Sequence, residues 1–210
     1  MLSTERLRLR PLSAADGPVL EPMLNDPVVR EMFGWPPGEH TSGDQWVAAQ
    51  LRAQDVDPAV VRNLSWAIVL AGTGAVIGVA QLSNIDFYDG AEPAVFLDAR
   101  HRGEGYGPEA MAEVVRWGFE DLVPYWARTG AVPDTGHRLG KVTVLVMPQN
   151  TASITMLSKT PLIDNGTITV TVKPTGTAEV RSFSLTRQQY RELTTGQAGQ
   201  QQGSVTKPPR

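Results

Sequence analysis

The sequence contains no cysteine. Disulfides, thiolate metal sites and cysteine nucleophiles are therefore excluded. Histidine is scarce as well: His40, His101 and His137 are the 3 present, and they lie far apart along the chain. That argues against a metal centre. Positive charge is not in excess, since 19 Lys and Arg stand against 22 Asp and Glu, a net charge of −3. No global basic field draws in nucleic acid or an anionic membrane. Aromatic residues make up 7% of the chain and do not interleave with a basic stripe, so a stacking platform for single strands is also unsupported. No apolar run approaches membrane-spanning length. The opening "MLSTERLRLR" alternates charge with leucine and lacks the apolar core of a signal peptide. The expectation is a cytoplasmic protein with no metal, no nucleic-acid partner and no membrane partner.

What is present fits one globular domain. The chain has 210 residues, of which 41% are apolar and 20% charged. That is enough to bury a real core. The domain is expected over 1–194, with a surface insertion at 123–138, where proline and glycine break any period. Residues 195–210 are rich in Gln and Gly and poor in apolar side chains, which predicts a disordered tail.

Period-two alternation in "RLRLRPL" (6–12) predicts a strand whose arginines form a solvated face. Ser13 is placed to cap a helix that Asn25-Asp26-Pro27 ends, and a short second helix carries Val28, Val29 and Met32. Ser42 opens a third helix, with Trp46, Ala49 and Ala53 on its inner face. "LSWAIVL", "AVIGVAQLSNI" and "AEPAVFLDA" then read as three successive antiparallel strands. Met111, Val114, Val115, Gly118, Phe119 and Leu122 recur at helical spacing behind Pro108. "KVTVLVM" (141–147) is a strand, "NTASITMLSK" (150–159) a short helix, and "GTITVTV" and "EVRSFSL" a late strand pair. This order predicts a mixed α/β (α+β) fold with a largely antiparallel central sheet flanked by helices.

The stretch "HRGEGYGPEA" (101–110) carries the strongest chemical signal. A P-loop would need Lys-Ser or Lys-Thr after the last glycine, where Pro108-Glu109 stands. A dinucleotide fingerprint would need glycine at 108 and a parallel sheet. A plain turn rich in glycine is the bland alternative. The remaining reading is a diphosphate held by backbone N–H groups at a helix N-terminus, with Arg100 and Arg102 ready for phosphate oxygens.

Here the chain resembles a known family. Arg102, Gly105 and Gly107 fill the fixed positions of the Arg/Gln-x-x-Gly-x-Gly/Ala signature of the GCN5-related N-acetyltransferases. "NTASITMLSK" is similar to the family's second signature, Asn-x-x-Ser-x-x-x-Leu-x-Lys. "TERLRLRPL" is similar to its opening strand and "FSLTRQQYREL" to its ending. "EPAVFLDARHRGEGYGPEAM" looks like the subgroup that acetylates ribosomal-protein N-termini. Together these pieces span roughly residues 3–193.

The resemblance implies acetyl-CoA as acyl donor. It implies that the amides of Gly103, Glu104, Gly105, Tyr106 and Gly107 hold the pyrophosphate, and that Val95, Phe96 and Leu97 run beside the pantetheine arm. The strands at 92–98 and 141–147 would splay apart to admit that arm, and Asn150 would help hold it. The acceptor would be a primary amine, either a peptide or protein N-terminus or a small amine, acetylated by direct attack in a ternary complex. Glu92 is the candidate base, with Asp86 and Asp98 as weaker alternatives. The tyrosine that many members carry seven residues after the asparagine is Leu157 here, so Ser153 is the candidate proton donor to the leaving sulfur. Phe33, Trp35 and His40 lie where the substrate-facing loop would be. Pro161-Leu162 replaces the family's usual Gly-Phe. Tyr125, Trp126 and Arg128 in the insertion would form a lid or a dimer contact, and the protein is expected to be a monomer or homodimer. A non-catalytic acyl-CoA-sensing domain and a small-molecule acetyltransferase are the competing functions.

Overall fold

The computed structural model describes residues 1–36, 38–55, 62–85, 90–122, 139–172 and 176–202. Strands β1 (Leu2–Ser3) and β2 (Leu7–Pro11) come first. They are followed by helices α1 (Gly17–Leu24), α2 (Pro27–Met32) and α3 (Gly43–Gln54). Strands β3 (Leu64–Leu70), β4 (Val76–Ser83) and β5 (Gly90–Leu97) follow, then helix α4 (Tyr106–Glu120) and β6 (Lys141–Val146). Helix α5 (Thr151–Leu157), β7 (Ile163–Val172), β8 (Gly176–Thr186) and α6 (Arg187–Gln202) complete the chain.

The strands form one 8-stranded sheet in the order β1-β2-β3-β4-β5-β6-β8-β7. Every neighbouring pair is antiparallel except β5 and β6. A parallel pair needs a crossover, and α4 lies between the two strands in sequence. The mixed, largely antiparallel sheet flanked by helices is thus the one the sequence predicts.

Helices cover both faces of the sheet over β3 to β5. Met111, Val114, Val115 and Phe119 of α4 pack with Leu7, Leu9, Ile68 and Leu97 on one face. Leu20, Met23, Leu24, Val29 and Val47 of the first three helices pack with Ala67, Val79 and Phe96 on the other. The alternation within β5, Val95 and Leu97 to one side and Phe96 to the other, follows from the strand period.

Three local expectations need correction. In α3 Gly43 and Val47 are the buried residues and Trp46 packs on Phe96, while Ala49 is exposed. A Cβ at Gly43 would stand 2.0 Å from the Gly17 carbonyl oxygen, so α1 and α3 meet backbone to backbone there. That contact sets the rotation of α3 and turns Val47, one turn on, to the core. The arginines of "RLRLRPL" do not form a free solvated face. Arg10 makes a two-pronged ion pair, at 2.6 and 2.8 Å, with the buried Asp16. Arg6 is engaged with α4, as described below.

At the C-terminus α6 continues as helix to Gln202, past the expected start of the tail at 195. The Thr194 and Thr195 hydroxyls donate back to the carbonyls of Tyr190 and Arg191, which suits a helical last stretch. The remainder of that tail and the whole insertion 123–138 lie outside the described residues.

Candidate active site

β5 and β6 pair only at Gly90–Lys141 and Ala91–Val142. Beyond that, β5 stays in register with β4 as far as Leu97, and β6 with β8 as far as Val146. The sheet therefore opens between its two central strands, as the resemblance implied. A cavity of about 320 Å³ occupies the opening, lined by Pro93–Val95, Val144–Val146, Asn150 and Ser153 among others. A second, of about 400 Å³, shares Val28, Val95, Ser153 and Met156 with it and reaches Arg102, Gly103, Gly105, Gly107 and Lys159. Together they make a continuous groove from the glycine loop to the opened sheet.

The loop is built stepwise. Asp98 accepts from the Arg100 amide at 2.9 Å and starts a short 3-10 turn over Ala99–His101. Gly103 has φ +85° and Gly105 φ +83°. Both are left-handed conformations that side chains oppose, and Gly105 is the N-cap of α4. A Cβ at Gly103 would meet nothing within 4 Å, so that backbone is open to close approach. From there α4 rises with its unpaired N–H groups toward the groove, the arrangement that receives anions.

Several predicted residues converge here. Gly103, Gly105, Gly107, Arg102, Phe96 and Leu97 line the loop end of the groove. Asn150 and Ser153 line the opened-sheet end. Asn150 caps α5, its Oδ1 accepting from the Ser153 amide at 3.0 Å, which leaves the Nδ2 group as the donor that could address a ligand. Ser153 is buried in the wall between the two cavities. Leu157 is fully buried and also lines the opened-sheet cavity, so the position where many family members carry tyrosine borders the groove without a hydroxyl.

Others are placed differently. Arg100 turns away from the groove and forms a forked ion pair with Asp98, at 2.8 and 3.0 Å. Those hydrogen bonds hold the Asp98 carboxyl down to about 2. Arg102 lines the groove, yet its Nε donates to the Leu97 carbonyl at 3.0 Å and its Nη2 sits 3.2 Å from Asp26. The expected contact with phosphate oxygens would thus fall to a guanidinium already held beside Asp26. Glu104 and Tyr106 are not groove-lining residues, and Glu104 is exposed. Glu92 is exposed at the edge of the opening, just before the lining residue Pro93, and accepts from Asn84 Nδ2 at 2.9 Å. Asp86 lies outside the described residues.

Phe33 lines the opened-sheet cavity and stacks on Trp35 at 5.3 Å. Trp35 and His40 line a third cavity of about 690 Å³, formed by α2 and the loop after it. His40 sits 3.1 Å from Glu21. Among the lining residues that the sequence reading did not single out are Glu31 and Lys159. Glu31 borders both the opened-sheet cavity and the third one. No periodicity marks a single charged residue on so short a helix. Lys159, the last residue of the second signature, borders the loop end. Its place in that signature was the available signal.

By the family it matches, the protein is an acyltransferase, and the opened central sheet with the glycine loop beside the gap is its candidate donor cleft. Residues 6–160 match the family profile described as Acetyltransferase (GNAT) domain, and the chain belongs to that family, whose members use acetyl-CoA. The chain is 27% identical over 191 residues to the "Uncharacterized N-acetyltransferase p20" of Bacillus licheniformis, covering 90% of this chain and 97% of that protein. Among solved structures it is similar to the spermidine N-acetyltransferase of Vibrio cholerae in complex with CoA and spermine. The TM-score is 0.67 at 16% identity, over 90% of this chain and 99% of that one. A GNAT-family acetyltransferase from Bacillus anthracis gives a TM-score of 0.67 at 16% identity, over 89% of this chain and 98% of that one. At these identities the likeness to solved structures is one of fold.

Proposed function

We propose that the protein transfers an acetyl group from acetyl-CoA to a primary amine by direct attack, with donor and acceptor bound together. The observation that carries this is the continuous groove from Gly103, Gly105 and Gly107 to the gap between β5 and β6. The loop amides and the start of α4 would hold the diphosphate, with Lys159 beside them. Backbone groups of β5, freed from pairing beyond Ala91, would bond the pantetheine amides. Bound acetyl-CoA supplies an acetyl group activated as a thioester.

The chain's own residues then handle two protons. An α-amine, with pKa near 8, is neutral in about one molecule in ten at pH 7, whereas a lysine is neutral in fewer than about one in a thousand. A modest base therefore suffices for a terminal amine. Glu92, exposed at the edge of the opening, is assigned that role through an intervening water. Ser153, in the wall of the groove, is assigned proton donation to the departing sulfur. A backbone N–H of β5 polarises the carbonyl.

The acceptor enters over Phe33 and Trp35. The resemblance to the ribosomal-protein subgroup supports a peptide N-terminus. Glu31 and Glu39 on the third cavity favour a small cationic amine as a second reading. The test is acetyl-CoA turnover against a panel of short peptides with free N-termini, their N-blocked forms, and di- and polyamines. Turnover confined to free peptide N-termini supports the first acceptor class, and turnover confined to polyamines the second. No turnover with any amine would overturn the proposed function.

A further inference from the structure

Arg6 precedes β2, far in sequence from the glycine loop, yet it touches that loop at several points. Its Nη1 donates to the Glu104 carbonyl at 2.9 Å. Its backbone N–H donates to Glu109 Oε1 at 3.0 Å and its Nε to Glu109 Oε2 at 2.7 Å. Its guanidinium carbon lies 4.6 Å above the Tyr106 ring. Its Nη2 lies 3.2 Å from where a Gly105 Cβ would stand. Thr4 completes the set by donating to Glu109 Oε1. Arg6 itself is not a lining residue of the groove. It grips the loop from behind.

Glu109 poses the problem that this grip answers. It lies in the first turn of α4, where a carboxylate suits the helix dipole. The same end of α4 is where the groove is shaped for an anion. An unpaired carboxylate there would repel the ligand. Burial pushes the Glu109 carboxyl up, but the bonds from Thr4 and Arg6 together hold it below its ordinary value.

We propose that Arg6 is a positioning residue for donor binding: it fixes the Glu104–Gly105 turn through the Glu104 carbonyl and neutralises Glu109 beside the diphosphate site. The proposal rests on the reading of the groove as the CoA site. A purely structural clamp would make loss of Arg6 and loss of the whole pair equally harmful. Charge neutralisation makes them differ, because loss of Arg6 alone leaves an uncompensated Glu109 carboxylate in the first turn of α4, close to the diphosphate site.

The test is the dissociation constant for CoA in wild type, R6Q and the double variant R6Q/E109Q, with steady-state kinetics and thermal midpoints for each. R6Q is expected to weaken CoA about two- to thirtyfold, the range that a charge at a helix end commands. The double variant is expected to recover most of that loss, and KM for acetyl-CoA should rise more than kcat falls. R6K, which keeps the charge without the planar fork, should fall between wild type and R6Q. Unchanged CoA affinity in R6Q, or equal weakness in R6Q and R6Q/E109Q, would overturn the proposal. Should R6Q not fold, R6K decides: affinity equal to wild type overturns it, and a raised constant with a smaller change in kcat supports it. A wild-type protein that binds no CoA would overturn the functional reading, and this inference with it. Wild-type binding with an indifferent R6Q would overturn the inference alone.

Discussion

Ala91 and Val142 form the last rung that β5 shares with β6. Past that rung each strand keeps its outer partner and loses its inner one. Unpaired backbone in the middle of a sheet is costly unless something bonds to it. The opened sheet leaves backbone donors and acceptors along both strands, and on the proposed reading the pantetheine arm would bond to them.

The glycine loop should tolerate side chains poorly. Gly103→Ala and Gly105→Ala each force a left-handed residue, which costs about 1–2 kcal/mol. Gly105→Val adds bulk 3.2 Å from the Arg6 guanidinium. Denaturant unfolding should show the stability loss for all three. Titration with CoA should show the greatest weakening in Gly105→Val.

Glu92→Gln should lower kcat and leave CoA affinity near wild type, because Glu92 lies outside the groove lining. Glu31→Gln should raise KM for the amine instead, since Glu31 borders the acceptor side. Steady-state kinetics with each substrate varied separates the two. A fall in CoA affinity with intact turnover in Glu92→Gln would remove Glu92 from the role of base.

Asn150 and Ser153 should separate in the same way. Asn150→Ala removes the cap of α5, at a cost of about 1 kcal/mol, and should lower both the thermal midpoint and CoA affinity. Ser153→Ala keeps that cap, because the bond runs to the Ser153 amide. It should lower kcat with little change in stability.

Asp98 gives a pH signature. Its hydrogen bonds from Arg100 hold the folded carboxyl at about 2, below the unfolded value near 3.9. The fold thus favours the ionised form. The resulting stabilisation is present above about pH 4 and lost as pH falls toward 2. Unfolding of wild type and Asp98→Asn should therefore differ at pH 6 and converge as pH drops through that window.

Much of this was legible in the sequence, for identifiable reasons. Strand alternation and helical spacing are local, so β2 to β6, α4 and the late hairpin appear where the patterns place them. The opened sheet and the expectation that Gly103, Gly105, Gly107, Asn150 and Ser153 share one groove came from the family resemblance. What escaped depends mainly on distant partners. The rotation of α3 is set by the contact of Gly43 with Gly17, which no single helix pattern contains. The grip of Arg6 on Glu109 is a tertiary pairing, while the turn of Arg100 back onto Asp98, two residues earlier, is local; read singly, all of these charged residues look like solvated surface. The helix past residue 195 runs against the composition signal, and the glutamines there are good helix formers.

The most direct test of the central claim, that the opened sheet and the glycine loop form one acyl-donor site, is calorimetric titration of the wild-type protein with acetyl-CoA beside Gly105→Val. The expected result is saturable binding to the wild type and clear weakening in the variant. A folded wild-type protein that takes up no acetyl-CoA, or a Gly105→Val protein that binds it equally well, would contradict that claim.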